Sequence, residues 1–151
     1  MTAPALTEPK SFLHLEEHPD IRVLFGSGTV RRLGEEAGKF GKRALLVTDA
    51  GIVRAGHAAV AQASLEEAGL KVAFFDKSIE NPTSSCVDAC VGVAEEAEVD
   101  VIVGLGGGSS MDTAKGCNFV LTNGGAMKDY WGIGKAAKPM LPLIAIPTTA
   151  G

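Results

Sequence analysis

The sequence lacks an excess of positive charge, a long apolar run and an abundance of aromatic residues. Its net charge of −4 gives no electrostatic basis for binding nucleic acid or an acidic membrane. No apolar run approaches the roughly 20 residues that a membrane span needs, and the polar, proline-containing start lacks the pattern of a secretory signal. Aromatic residues make up only 5% of the chain. We therefore expect a core of Ala, Val, Leu and Ile in a cytoplasmic protein.

Cysteine is also scarce, with three residues in the chain: Cys86, Cys90 and Cys117. An odd number of cysteines without a secretory signal predicts reduced thiols rather than a disulfide framework. Cys90 falls on the apolar face of a predicted helix, so we expect it to pack in the core.

The 151 residues suffice for one domain with a real core. We expect an irregular lead-in over residues 1–20 and a single domain over 21–151. Within that domain, short apolar runs predict strands and helical spacing of apolar residues predicts helices. The predicted strands are 22–25, 44–47, 72–75, 101–105 and 141–146, and the predicted helices are 29–40, 57–68, 83–97 and 109–121. This alternation predicts an α/β fold, a parallel sheet with helices on both faces.

Polar residues follow several predicted strands, and ligands of such sheets bind at the carboxyl ends of the strands. We therefore expect a binding site at this edge of the sheet. The candidate residues, in chain order, are Asp49, Asn81, Gly106, Gly107, Gly108, Ser109, Thr148 and Thr149.

The glycine loop, residues 106–109, stands between a predicted strand and a predicted helix. Glycines let the backbone approach a ligand closely, and a helix start offers unpaired N–H groups and a positive dipole end. Together they predict a site for an anion such as a pyrophosphate. The alternative is a tight turn without a ligand, which is the interpretation we favour for residues 26–28.

Two better-known nucleotide motifs fit this loop poorly. No Gly-Lys-Ser/Thr follows, so the loop is not a P-loop. The usual Rossmann fingerprint requires an acidic residue about 20 residues later, at the end of the next strand. Asp129 has that spacing, but no predicted strand precedes it. Asp112 matches a capping box with Ser109, in which case it would serve the helix rather than a ligand.

Residues 106–115, GGGSSMDTAK, resemble the GGGSxxDxAK signature of the iron-containing, or group III, alcohol dehydrogenases. Further matches occur in the family's order at residues 25–28, 47–51, 81–83 and 142–151. The resemblance implies a Rossmann-like N-terminal domain that binds NAD or NADP.

Residue by residue, the resemblance implies that Gly106, Gly107, Gly108 and Ser109 hold the pyrophosphate. Asp112 would lie near the nicotinamide, Asn81 beside the cofactor, and Thr148 and Thr149 along the same cleft. Asp49 would meet the adenosine ribose, where its charge would repel the extra phosphate of NADP. We therefore expect NAD to bind better than NADP. The alternative is that Asp49 is an ordinary turn residue after a strand.

The resemblance also implies Fe²⁺ or another divalent metal, held by one Asp and three His on a second, all-helical domain. These ligands would lie beyond residue 151, so we expect a fragment without catalytic or metal-binding residues, inactive by itself towards its alcohol or aldehyde substrate. Without the second domain, the chain would expose the face that packs against it. Such exposure favours self-association, and we expect a homo-oligomer. His14 and His18 form an H-x-x-E-H pattern, but Pro19 follows directly and we expect no metal there.

Two other interpretations stay open. One is a domain of a zinc enzyme related to glycerol dehydrogenase or the sugar-phosphate cyclases. The other is a stand-alone nucleotide-binding module without catalysis. An open reading frame after Gly151 that supplies an Asp-x-x-x-His pair would favour an enzyme.

Overall fold

The computed structural model describes the backbone of residues 12–14 and the whole of residues 20–130 and 134–148. The strands are β1 (Phe12–His14), β2 (Arg22–Leu24), β3 (Arg43–Val47), β4 (Lys71–Phe75), β5 (Val101–Gly106) and β6 (Leu143–Pro147). The α-helices are α1 (Leu33–Gly38), α2 (Ala50–Arg54), α3 (His57–Glu67), α4 (Ser84–Glu96) and α5 (Gly108–Asn123). Two short 3₁₀ helices cover Thr29–Arg32 and Met127–Tyr130.

The central feature is a parallel sheet with the strand order β4-β3-β5-β6. Its two middle strands are the most apolar: every residue of β5 is buried, and in β3 only Arg43 is exposed. Continuous apolar runs of this kind suit strands that are covered on both faces. The predicted α/β fold with a Rossmann-like parallel sheet is confirmed.

Helices cover both faces of the sheet, and each face has its own hydrophobic core. Leu45 and Val47 of β3 point into a cluster with α4 and α5, whereas Leu46 points into a second cluster with α1 and α3. This division follows from the two-residue repeat of a strand, which sends alternate side chains to opposite faces. Cys90 and Cys117 lie fully buried in the first cluster, which confirms the core position expected for Cys90.

The structure differs from the sequence-based expectations at several elements. β1 lies inside the predicted irregular lead-in, and β2 pairs antiparallel with it rather than joining the parallel sheet. The helix predicted over 29–40 is a 3₁₀ turn followed by α1 and ends at Gly38. α2 was not predicted, because five residues are too few to show a helical period. Among the described residues, no helix is both long and apolar enough to cross a membrane.

Candidate functional site

A cleft of about 730 Å³ opens at the carboxyl ends of β3, β4 and β5. This is the edge at which the sequence places its candidate residues. The residues that line the cleft are Asp49, Ala50, Gly51, Ser78, Glu80, Asn81, Pro82, Gly108, Ser109 and Asp112.

The glycine loop forms the turn from β5 into α5. Gly106 has φ = 143°, a region that residues with a side chain rarely occupy. A Cβ atom at Gly106 would lie 2.6 Å from Ser110 Oγ and 3.2 Å from Asp49 Oδ2. A Cβ atom at Gly108, by contrast, would meet no other atom within 4 Å. Gly106 is therefore required by the turn itself, whereas the space beside Gly108 is open.

The start of α5 has no side-chain cap among the described residues. Its N-cap is Gly107, which has no side chain to accept a hydrogen bond from the first turn. The helices that follow β3 and β4 differ: Asp49 Oδ1 accepts from Ile52 N at the start of α2, and Thr83 Oγ1 accepts from Cys86 N at the start of α4. The first N–H groups and the positive dipole end of α5 are thus left for another acceptor.

The capping box considered for this helix does not form, because the N-cap of α5 is Gly107, two residues before Ser109. Ser109 is therefore inside the first turn rather than at the N-cap. Asp112 is exposed and lines the cleft.

Asp49 is half-buried and lines the cleft directly after β3. Its Oδ1 accepts from Ile52 N at 3.0 Å, and its Oδ2 accepts from Ser110 Oγ at 3.2 Å. Asp49 is thus both a helix cap after a strand, as the alternative interpretation had it, and a carboxylate in the cleft. A carboxylate offers about four acceptor positions, so these two bonds leave acceptor capacity for a ligand.

The loop after β4 supplies a second wall of the cleft. Asn81, which the sequence nominated, is exposed there with φ = 53°, a left-handed conformation that Asn tolerates better than most residues. Ser78 and Glu80 also line the cleft but were not singled out from the sequence. Both follow the end of β4 within a few residues, so they could have been predicted from the rule that ligands bind at the carboxyl ends of parallel strands.

The remaining nominated residues lie close to the loop or outside the described part of the chain. Thr148 is exposed and does not line the cleft, but its N–H donates to Gly106 O at 2.9 Å, which holds the end of β6 against the glycine loop. Thr149 lies outside the described residues. Asp129 is an exposed turn residue whose Oδ2 accepts from Ala126 N at 2.8 Å.

No group of three or more His, Cys, Asp or Glu side chains is placed to hold a metal ion within the part of the chain that the structure describes. His14 ends strand β1, and His18 lies outside the described residues. His57 is exposed at the start of α3. The described residues therefore do not fit an iron centre.

The model of the family described as "Iron-containing alcohol dehydrogenase" matches residues 19–151. The chain belongs to the iron-containing alcohol dehydrogenase family. Among curated members, it is 40% identical over 129 residues to the NAD-dependent methanol dehydrogenase of Bacillus methanolicus, covering 85% of this chain and 34% of that protein. It is 42% identical over 128 residues to alcohol dehydrogenase 4 of Saccharomyces cerevisiae, covering 84% of this chain and 34% of that protein.

Solved structures of the family show the same fold. A 1,3-propanediol oxidoreductase matches with a TM-score of 0.81 and 38% identity, over 84% of this chain and 34% of that one. The sulfoacetaldehyde reductase of Bifidobacterium kashiwanohense in complex with NAD⁺ matches with a TM-score of 0.69 and 31% identity, over 84% and 34% of the two chains. The chain thus spans about a third of the length of these relatives and corresponds to the N-terminal, cofactor-binding portion of the family. The family expected from the glycine-loop signature is confirmed.

Proposed function

We propose that this chain is the NAD-binding portion of a metal-dependent alcohol dehydrogenase, which transfers hydride between an alcohol–aldehyde pair and the nicotinamide. The uncapped start of α5, open to a cleft that Asp49 also lines, carries the proposal. The start of α5 suits the anionic pyrophosphate of a dinucleotide, and the Asp49 carboxylate suits a ribose with hydroxyl donors.

The pyrophosphate is proposed to bind at the first turn of α5. The N–H groups of Gly108 and Ser109 belong to that turn, and both residues line the cleft. A phosphate oxygen there would satisfy backbone donors that no described side chain caps, and the helix dipole would favour its charge. The open space beside Gly108 allows the phosphate to approach the backbone.

The adenosine ribose is proposed to bind at Asp49, whose remaining lone pairs can accept from its hydroxyl groups. The charged residues that line the cleft are all acidic: Asp49, Glu80 and Asp112. Among the described residues no Lys or Arg lines it. The extra phosphate of NADP would therefore meet repulsion without a compensating cation, which supports NAD as the cofactor.

The nicotinamide, when bound, accepts or returns the hydride, and the protein contributes its orientation. The role proposed for this chain is confined to holding and orienting the cofactor, because its described residues do not fit a metal centre. The metal ligands and most of the alcohol or aldehyde pocket are proposed to lie outside these residues. We accordingly expect the 151-residue chain to bind NAD without oxidising simple alcohols.

Calorimetric titration of NAD and NADP into the chain tests the proposal, with Asp49→Asn as the deciding variant. Asn is as good an N-cap as Asp, so α2 should keep its cap while the cleft loses one negative charge. We expect NAD to bind the variant about tenfold more weakly, as for the loss of a hydrogen bond to a charged group. The preference for NAD over NADP should shrink at the same time.

Asp129→Asn is the matched control, because Asp129 also accepts a backbone N–H in a turn but does not line the cleft. It should leave both affinities unchanged. The proposal is wrong if the wild-type chain binds neither cofactor, and the assignment of NAD is wrong if NADP binds equally well or more tightly.

A further inference from the structure

One buried hydroxyl links the two ends of the proposed cofactor site. Ser110, in the first turn of α5, is fully buried. Its Oγ donates to Asp49 Oδ2 at 3.2 Å, although the two residues are 61 positions apart in the chain. The bond crosses from the helix that follows β5 to the carboxylate that follows β3.

Two other hydroxyl groups on α5 donate to the main chain of their own helix instead. Thr113 Oγ1 donates to Ser109 O at 2.8 Å, and Thr122 Oγ1 donates to Asn118 O at 2.6 Å. Both use the carbonyl four residues earlier in their own helix, which is the common pattern for Ser and Thr within helices. The corresponding carbonyl for Ser110 is that of Gly106, which lies in the glycine turn and accepts instead from Thr148 N. The Ser110 hydroxyl bonds to Asp49 instead.

We propose that Ser110 is a positioning residue for cofactor binding, which holds the Asp49 carboxylate in the orientation that receives the ribose hydroxyls. This inference rests on the proposed function, since it requires a ribose at Asp49. The carboxylate is fixed at both oxygens, by Ile52 N on one side and by Ser110 Oγ on the other. A carboxylate held in this way binds a ligand without first losing the freedom to rotate.

The position of Ser110 also explains why Gly106 must lack a side chain. The Cβ atom that Gly106 lacks would lie 2.6 Å from Ser110 Oγ and 3.2 Å from Asp49 Oδ2. The glycine thus leaves room for the hydroxyl and the carboxylate to meet. In this arrangement the pyrophosphate helix and the ribose carboxylate are connected as one unit.

The test compares ADP with 2′,3′-dideoxy-ADP, which keeps the phosphates and the base but lacks both ribose hydroxyls. Ser110→Ala should weaken ADP binding to the chain about three- to tenfold, the range expected for one lost hydrogen bond. The same variant should change the affinity for the dideoxy compound by less than about twofold, because the effect is transmitted through Asp49. In the Asp49→Asn background, Ser110→Ala should cause no further loss.

Ser110→Cys keeps the size of the side chain but donates a hydrogen bond only weakly, so it should reproduce the Ala result if the hydroxyl acts through its bond rather than through packing. Thr122→Val, which removes a hydroxyl from the same helix far along it, is the control and should bind ADP like the wild type.

Three results would overturn the proposal in different ways. If Ser110→Ala binds ADP as tightly as the wild type while Asp49→Asn binds it more weakly, the role of Ser110 is wrong and the proposed function stands. Equal losses for ADP and its dideoxy analogue would show that Ser110 only supports the fold. Failure of the wild-type chain to bind ADP or NAD would instead overturn the proposed function itself.

Discussion

Replacing Gly106 with Ala should destabilise the fold and disrupt the proposed cofactor site together. The backbone at Gly106 has φ = 143°, and holding a residue with a side chain in such a region costs about 1–3 kcal/mol. The new methyl group would also lie 2.6 Å from Ser110 Oγ and 3.0 Å from Ser110 Cβ. Overpacking of this kind adds about 1–3 kcal/mol unless the neighbour moves away.

The easiest movement is a rotation of the Ser110 side chain, which would relieve the contact at its oxygen but break the bond to Asp49. The backbone strain would remain in either case. We therefore expect Gly106→Ala to lower the free energy of unfolding by about 3 kcal/mol. For a domain of this size that corresponds to a fall in Tm of about 6–12 °C.

Gly108→Ala is the matched control within the same loop. A Cβ atom there meets nothing within 4 Å and its φ is not positive, so the strain and the overpacking are both absent. Because Ala favours a helix over Gly by about 0.5–1 kcal/mol, Tm should stay constant or rise slightly. The methyl group should nevertheless obstruct the approach of a phosphate to the first turn and weaken NAD binding at least about tenfold.

Thermal unfolding by circular dichroism and calorimetric titration with NAD separate the two effects. The expected pattern is a large fall in Tm for Gly106→Ala and an affinity loss without a fall in Tm for Gly108→Ala. If Gly106→Ala melts within about 2 °C of the wild type, less than 1 kcal/mol by the same conversion, the steric argument for this turn is wrong. If Gly108→Ala binds NAD normally, the phosphate does not approach the backbone there.

Further predictions concern the core. Gly34→Ala should lower Tm by about 4–10 °C, because a Cβ atom at Gly34 would overlap Ser64 O, a backbone atom that cannot move without displacing α3. An unchanged Tm would contradict the close contact of α1 with α3. In the folded chain, a thiol reagent followed by mass spectrometry should modify half-buried Cys86 first. Cys90 and Cys117 should react only after unfolding in guanidinium, because both are fully buried. The hydrogen bond with Cys117, together with burial, also raises the pKa of the Cys90 thiol. Equal labelling of Cys86 and Cys90 in the native state would refute this.

Sequence patterns predicted the elements that carry a clear local signal. The strands at residues 44–47 and 101–105 agree closely with β3 and β5, because continuous apolar runs indicate strands buried on both faces. The helix predicted over 83–97 corresponds to α4, which is capped by Thr83, whose Oγ1 accepts from Cys86 N at 3.2 Å. Such signals are local, so they could be found without knowing what packs against what.

Elements that depend on few residues or on distant partners could not be predicted in this way. α2 has only five residues, and Asp49 caps its start. β2 is a strand, as expected, but its partner β1 lies in the segment predicted to be irregular. The capping box at Ser109 was wrong because the N-cap of the helix is Gly107, two residues earlier, a shift that residue preferences alone do not determine.

The sequence by itself determined the family and predicted where an anion would bind, because the glycine loop and its neighbours are contiguous motifs whose chemistry acts over a few residues. It also placed Asp49 at the carboxyl end of a strand. Only the tertiary structure decided that Asp49 meets Ser110, since that contact depends on β3 and β5 being neighbours in the sheet. Which strands become neighbours depends on burial across the whole domain, so no local sequence pattern predicts which hydroxyl will contact which carboxylate.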